Sequence, residues 1–251
     1  MPSSWLSQVP LDPGIRVNLV CLPHAGGGAA MFHKWKRLLP DQIAAVPIQL
    51  PGRENRLSDT PVEFLEQSVR AIAEEIVQSP MPRIAIFGHS MGALIGYELC
   101  QLLSREYEQP PILLIATGCR APHLPVCRPE VHLMPDDELI STLNSRYGGF
   151  STNALEQAEL LKCMLPAIRA DMTLVETYQY QDQDPLSVPI LALGGTSDHA
   201  VSLVDLAAWR QHTNSDLTQR QFPGGHFFIE SAREAVLKTV VRRLDSLICE
   251  Q

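Results

Sequence analysis

Ile84-Ala85-Ile86-Phe87-Gly88-His89-Ser90-Met91-Gly92-Ala93-Leu94 is the stretch that decides the fold. An apolar run of strand type ends at Gly88, and from Met91 onward the apolar spacing becomes helical. One serine stands at the junction, with glycine two positions before it and two after. A strand that turns this sharply into a helix presses those flanking positions against surrounding backbone, where little beyond glycine fits. The pattern G-x-S-x-G is the nucleophile elbow. It lifts Ser90 Oγ clear of the sheet and aims the backbone N–H of Met91 at the reaction centre.

The segments around the elbow alternate between strand and helix. Arg16 to Leu22, Ile43 to Gln49, Pro111 to Ala116, Val188 to Leu193 and Leu217 to Phe222 read as short buried strands, and residues 1 to 15 as an irregular lead-in. Between them, Met31 to Leu39, Pro61 to Gln78, the helix after Ser90, Val201 to His212 and Ser231 to Ile248 carry helical spacing. Such alternation predicts an α/β fold with a mostly parallel central sheet flanked by helices, whose ligands sit at the strand C-terminal ends. The rhythm breaks between Cys119 and Ser187. A proline-rich passage from Ala121 to Pro129 precedes a helix opening at Pro135-Asp136-Asp137-Glu138, with acids in the first turn as the helix dipole favours, and ending at Tyr147-Gly148-Gly149-Phe150. Two further helical segments, Asn153 to Met164 and Ala167 to Tyr178, are expected to part or kink at Pro166. The chain thus reads as a single domain over residues 1–251, with residues 120–187 a helical lid insertion that lines an acyl pocket.

Composition narrows the function. At 251 residues the chain suits one α/β domain, and a net charge of -8 argues against nucleic-acid binding, which calls for a basic face. The N-terminus lacks a basic stretch followed by an apolar one, and no apolar run is long enough to span a bilayer, so the expected setting is cytoplasmic, away from membranes. The six cysteines form no C-x-x-C pair and read as reduced, mostly buried thiols. No metal and no cofactor are expected.

Acyl transfer by a serine needs a base for the hydroxyl proton and a carboxylate to hold that base in the right tautomer. Ser90, Asp198 and His226 follow one another in the α/β-hydrolase order, each on a loop after a strand. Asp182, Asp184 and Asp205 are alternative acids, but Asp198 directly follows a strand. Among the other histidines, His89 sits within the elbow itself and His24 borders a loop of another kind. That loop, Pro23-His24-Ala25-Gly26-Gly27-Gly28-Ala29-Ala30, follows the first strand, where elbow hydrolases place the second oxyanion donor, so Met91 and Ala25 are the expected oxyanion N–H groups. The loop after the second strand carries Arg53 and Arg56, which either orient a substrate phosphate or hold a carboxylate on the loop.

Taken together, Leu22-Pro23-His24-Ala25-Gly26-Gly27, Leu50-Pro51-Gly52-Arg53-Glu54, Gly88-His89-Ser90-Met91-Gly92, Tyr147-Gly148-Gly149, Arg169-Ala170-Asp171, Gly194-Gly195 with Asp198, and Gly224-Gly225-His226-Phe227 make the chain resemble the type II thioesterases of nonribosomal peptide and polyketide synthesis. That family also includes the medium-chain acyl thioesterases acting with fatty-acid synthase. The resemblance implies an α/β-hydrolase that removes acyl groups from the phosphopantetheine arm of carrier proteins, usually clearing misprimed or stalled units. It implies Ser90, Asp198 and His226 as catalytic residues, Met91 and Ala25 as oxyanion donors, and a carrier protein as partner; the chain itself is expected to be a monomer. Lys34, Lys36 and Arg37, or Arg120 and Arg128, are candidates to meet an acidic carrier surface. The residues alone leave two alternatives open: a small-molecule carboxylesterase with the same three groups, and a noncatalytic binding protein, which would normally lack one of them.

Overall fold

The computed structural model describes residues 4–7, 12–81, 83–125, 129–148 and 154–249, and for residues 154–160 the backbone only. Six strands, β1 (Val17–Leu22), β2 (Ile43–Pro47), β3 (Ile84–His89), β4 (Leu114–Thr117), β5 (Ile190–Gly195) and β6 (Leu217–Phe222), form one sheet in the order β2-β1-β3-β4-β5-β6. Every neighbouring pair is parallel. Each residue of β1, β3, β4 and β5 is buried, which is why these strands read as continuous apolar runs: a parallel sheet is covered on both faces. Strand β6 lies at the edge and turns Thr218, Gln219 and Arg220 to solvent, a polar finish that discourages further pairing.

Alternate strand residues feed two cores. On one face Val20, Leu22, Ile86, Leu114 and Ile190 pack with α1 (Leu65–Gln78) and the almost wholly buried α2 (Met91–Arg105). On the other, Leu19, Phe87, Ile115 and Leu191 meet Phe32, Trp35 and the apolar stripe Val236, Leu237, Val240 and Leu244 of α7 (Arg233–Cys249). The architecture is the mostly parallel, helix-flanked sheet expected from the alternation of elements, in the α/β-hydrolase arrangement that the family resemblance implies.

Several boundaries differ from the sequence expectation, each for a local reason. The first helical stretch is a 3-10 helix, Ala29–Arg37, in which the buried Ala29, Phe32 and Trp35 recur every three residues, as a 3-10 turn aligns them. Helix α1 begins at Leu65, because Pro61 is used otherwise: it packs against Gly52, where an added Cβ would fall 2.5 Å from Pro61 Cγ. Ser4 to Leu6 is not a free lead-in, since Glu75 of α1 accepts hydrogen bonds from Ser4 Oγ, Trp5 N and Leu6 N. The stretch after Val201 divides into α5 (Leu203–Ala207), started by a Ser202/Asp205 capping box, and a 3-10 turn, Ala208–His212. The C-terminal stretch divides into α6 (Phe228–Ser231) and α7.

Between β4 and β5 lie a 3-10 turn (Val131–Leu133), α3 (Asp136–Tyr147) and α4 (Ala154–Thr177). Helix α4 runs through Pro166 as one element, where two segments were expected. A proline inside a helix costs about 3 kcal/mol. Leu165, Ala167, Ile168, Ala170, Met172 and Leu174 are all buried around it, and each large apolar side chain removed from water returns about 1.5–3 kcal/mol, so burial wins. The two helices share a small core of Leu139, Leu143, Leu165, Ile168 and Met172. Glu176 ties α4 to the preceding turn by accepting from the Val131 and His132 N–H groups and from His132 Nδ1, and Arg169 donates to the carbonyls of His132 and Met134. The expected helix end at Gly149-Phe150, the start at Asn153, and Cys127 and Arg128 lie outside the described residues.

Burial also leaves a pH-sensitive mark. His212 is 2% exposed; its Nδ1 lies 3.1 Å from Tyr97 OH and its Nε2 2.7 Å from His123 Nδ1. Burial, helped by the neighbouring His123, pushes its pKa from 6.5 down to about 4. Between those two values the unfolded chain binds a proton that the folded chain refuses, so the contribution is whole above pH 6.5 and lost as pH falls toward 4, at up to about 1.4 kcal/mol per pH unit. Urea unfolding from pH 7 to 5 is expected to show this slope, and His212→Gln to flatten it; an identical slope in the variant would exclude the assignment.

Candidate active site

Ser90 occupies a conformation that few side-chain-bearing residues adopt, φ 54° and ψ −115°. Such a position costs of order 1–3 kcal/mol and persists only when its surroundings over-determine it. Here they do. The Ser90 N–H donates to Thr117 O on the neighbouring strand at 2.8 Å, and Ser90 O accepts from the Ala93 N–H at 3.0 Å. A Cβ on Gly88 would stand 2.1 Å from Gly92 O, and one on Gly92 would stand 2.3 Å from Leu22 O and 2.6 Å from Pro23 O. The start of α2 therefore sits directly on the end of β1. That contact places Met91, whose N–H has no intrahelical partner as the first residue of its helix, beside the Gly-rich loop.

The loops after β5 and β6 bring Asp198 and His226 together. Asp198 Oδ2 lies 2.9 Å from His226 Nδ1, while Oδ1 accepts the Ala200 N–H at 2.8 Å. Both side chains are out of water, at 4% exposure for His226 and none for Asp198. The loops meet closely: a Cβ on Gly195 would fall 2.3 Å from Gly225 O. The rival acids are elsewhere. Asp205 caps α5 and pairs with Arg120, and Asp182 and Asp184 line a separate cavity next to Arg105 and His212.

Two more histidines surround His226 and both are held neutral. His89 is buried 5.2 Å from it, ring centre to ring centre. The Thr117 hydroxyl donates its only proton to Gly88 O, so it must accept from His89 Nδ1–H at 2.9 Å, which fixes that tautomer. Burial first, then the proximity of the His226 and His24 rings, pushes the His89 pKa well below the usual range. Burial likewise lowers His24, whose Nδ1–H donates to Ala25 O at 2.9 Å. Neither ring competes for a proton with His226.

Ser90, Met91, His226, His24, Ala25 and Gly26 all border one cavity of about 410 Å³. Most of its remaining wall is apolar and comes from α3 and α4, namely Leu143, Tyr147, Leu161, Met164, Ile168, Met172 and Val175, while Phe227 and the carboxylate of Glu230 also border it. Tyr147 also lays its ring 4.6 Å from that of His226. That contact was not legible in sequence, and neither was the partner of Arg53. The guanidinium pairs with Asp171 of α4, not with a carboxylate of its own loop, whereas Arg56 does hold a loop acid, Asp59. The available signal was Asp171 itself, an acid in the middle of an apolar helix face. Cys21 and Cys100 are buried and burial raises both thiols, Cys119 is pushed up to about 12 by the same cause, and Cys163 and Cys249 are exposed. Among the described residues no cluster of three histidine, cysteine or acidic side chains suits a metal ion, and no helix is long and apolar enough to cross a membrane.

A family model for the thioesterase domain matches residues 17–244. The chain belongs to the thioesterase family. It is 35% identical over 242 residues to the gramicidin S biosynthesis protein GrsT of Aneurinibacillus migulanus, an alignment covering 96% of this chain and 94% of that one. Among solved structures it is similar to the RedJ thioesterase from the prodiginine pathway of Streptomyces coelicolor, with a TM-score of 0.86, 33% identity and coverage of 94% and 90% of the two chains. The type II thioesterase BorB from the borrelidin biosynthetic cluster gives a TM-score of 0.87 at 32% identity, covering 96% and 97%. This thioesterase is thus a thioester hydrolase of the α/β-hydrolase fold.

The elbow contact makes a sharp prediction for this thioesterase. Gly92→Ala forces a methyl group into the Leu22 and Pro23 carbonyls and is expected to cost about 2 kcal/mol or more, with activity falling further than stability. Gly225→Ala, whose Cβ would meet only Ser197 O at an ordinary 3.8 Å and whose φ is outside the range that favours glycine, should cost less than about 1 kcal/mol. Urea midpoints and turnover of the two variants check this; equal costs would contradict the steric argument.

Proposed function

We propose that this thioesterase hydrolyses acyl groups from the phosphopantetheine arm of carrier-protein domains in nonribosomal peptide or polyketide synthesis, clearing misprimed or stalled units. The observation that carries this reading is that Ser90 and His226, the latter paired with Asp198, border the same mostly apolar cavity. Similarity to GrsT, RedJ and BorB along nearly the whole chain supports the pathway class.

In the proposed mechanism His226 Nε2 takes the proton of Ser90 Oγ as the oxygen attacks the thioester carbonyl. The resulting oxyanion is held by the N–H groups of Met91 and Ala25, each worth on the order of 100- to 1000-fold in rate. The C–S bond then breaks, the pantetheine sulfur leaves with the proton from His226, and the acyl group stays on Ser90. Water, deprotonated by His226, attacks the acyl-serine and releases the acid and the free hydroxyl. Asp198 stabilises the imidazolium in both halves. Neutral His24 and His89 add no second positive charge beside it.

Residues 1–251 act in this reading as one domain with residues 120–187 as its lid, since α3 and α4 form the apolar wall that would take the acyl chain. The protein works as a cytoplasmic monomer with a carrier protein as partner. Lys34, Lys36 and Arg37, all exposed, remain available to an acidic carrier surface, whereas Arg120 is engaged by Asp205 and Pro125.

The test is acyl release from a phosphopantetheinylated carrier protein beside the matching free ester. Carrier-bound thioester should be cleaved at least about tenfold faster, and Ser90→Ala should lower that rate by 1000-fold or more. Preference for the free ester would make the protein a general carboxylesterase; cleavage of neither would leave binding as the activity.

A further inference from the structure

Asp171 marks the place where α4 touches the Gly-rich loop. It lies three residues beyond Ile168, on the same helix face, and both reach Gly26. Ile168 Cγ1 would stand 2.8 Å from a Cβ on Gly26, and Asp171 Oδ2 accepts the Gly26 N–H at 2.7 Å. The same carboxylate receives the Arg53 guanidinium in bidentate fashion, Nη1 at 2.6 Å and Nη2 at 2.8 Å. Arg53 Nη1 then donates to Gly27 O at 3.0 Å. Arg53 is itself fixed, donating from Nε to Pro51 O, while Gln49 Nε2 donates to the Arg53 carbonyl. The next residue, Glu54, accepts the Ala30 N–H. The Gly-rich loop is therefore gripped at three points from outside itself.

This grip matters because of where the loop bends. Gly26 has φ +76°, a conformation a glycine enters and leaves easily, so the loop does not fix its own shape. The peptide joining Ala25 to Gly26 is instead pinned at both polar ends: its carbonyl accepts from His24 Nδ1–H, and its N–H donates to Asp171. We propose that Asp171 and Arg53 are positioning residues of the oxyanion hole, which orient Ala25 and make the hole complete only when α4 is seated over the cavity. A carrier-borne acyl chain packed against Ile168 and Met172 would then favour the competent loop through the helix that supplies its anchor. A buried ion pair is by itself a weak source of stability, so a role in geometry gives a reason for this one beyond holding two elements together. The inference rests on the assignment of Ala25 and Met91 as oxyanion donors.

The test compares Asp171→Asn, Arg53→Lys and the double variant Asp171→Asn/Arg53→Gln, which leaves no unpaired buried cation. Each is measured for folding by circular dichroism, for kcat and KM, and for inhibition by a trifluoromethyl ketone analogue of the acyl thioester, whose adduct with Ser90 carries an oxyanion. Asp171→Asn is expected to lower kcat about 100-fold with KM within about threefold, and to weaken the ketone by the same factor. Arg53→Lys, which keeps the charge but loses the fork, should show a smaller loss in the same two quantities. If Asp171→Asn does not fold, Arg53→Lys and the double variant decide by the same criteria. Unchanged kcat and ketone affinity in a folded variant overturn the proposal, as does a rise in KM at constant kcat, which would make the pair a lid contact alone. Failure of the wild-type enzyme to discharge a carrier would instead count against the proposed function, since ketone affinity is read independently of the carrier.

Discussion

Backbone lies against backbone at the junction of β3, α2 and β1, and the rest of the molecule is arranged around that contact. Gly88 and Gly92 have no room for a methyl group, because the atoms a Cβ would meet are carbonyls of the elbow itself and of Leu22 and Pro23. This closeness puts the end of β1, the first turn of α2 and Ser90 within one small volume. The positive φ at Ser90 is sustained there by hydrogen bonds to the adjacent strand and by a helix buried along most of its length. Ser90 is thus held at the cavity by a scaffold too tightly packed to let it relax.

Around that point the electrostatics are graded. The Asp198 side chain is fully buried yet satisfied, by the Ala200 N–H on one oxygen and by His226 on the other. His24 and His89 crowd the same ring but are held neutral by burial, and hydrogen bonds to a carbonyl and a hydroxyl set their tautomers. The apolar wall from α3 and α4 keeps the surroundings low in dielectric, which strengthens each of these interactions.

The helices between β4 and β5 are more than a cover. Through Tyr147 they touch His226, and through Ile168 and Asp171 they touch the loop bearing Ala25. This one segment therefore contacts both His226 and the Gly-rich loop while lining the cavity between them. Its path through Pro166 shows how far tertiary burial overrides local preference, since a helix break there would expose the face that carries those contacts.

Much of this was legible in the chain alone, because it rests on local rules. Continuous apolar runs mark strands buried on both faces, glycines at fixed offsets mark a turn without room, and the order of Ser90, Asp198 and His226 places each on a loop at the same end of the sheet. What lay beyond reach depends on distance in sequence. Pro61 reads as a helix start until Gly52 is seen beneath it, and Pro166 as a break until the buried face on both sides is counted. Arg53 and Asp171 are 118 residues apart, and no periodicity links them. The chain by itself determined the alternation of elements and nominated Ser90, Asp198 and His226 as the candidate nucleophile, acid and base, since residue type and strand order can be read locally. Only the tertiary structure decided what holds them, because a buried ion pair, a ring contact and a loop anchored by a helix exist only once distant segments share one low-dielectric interior.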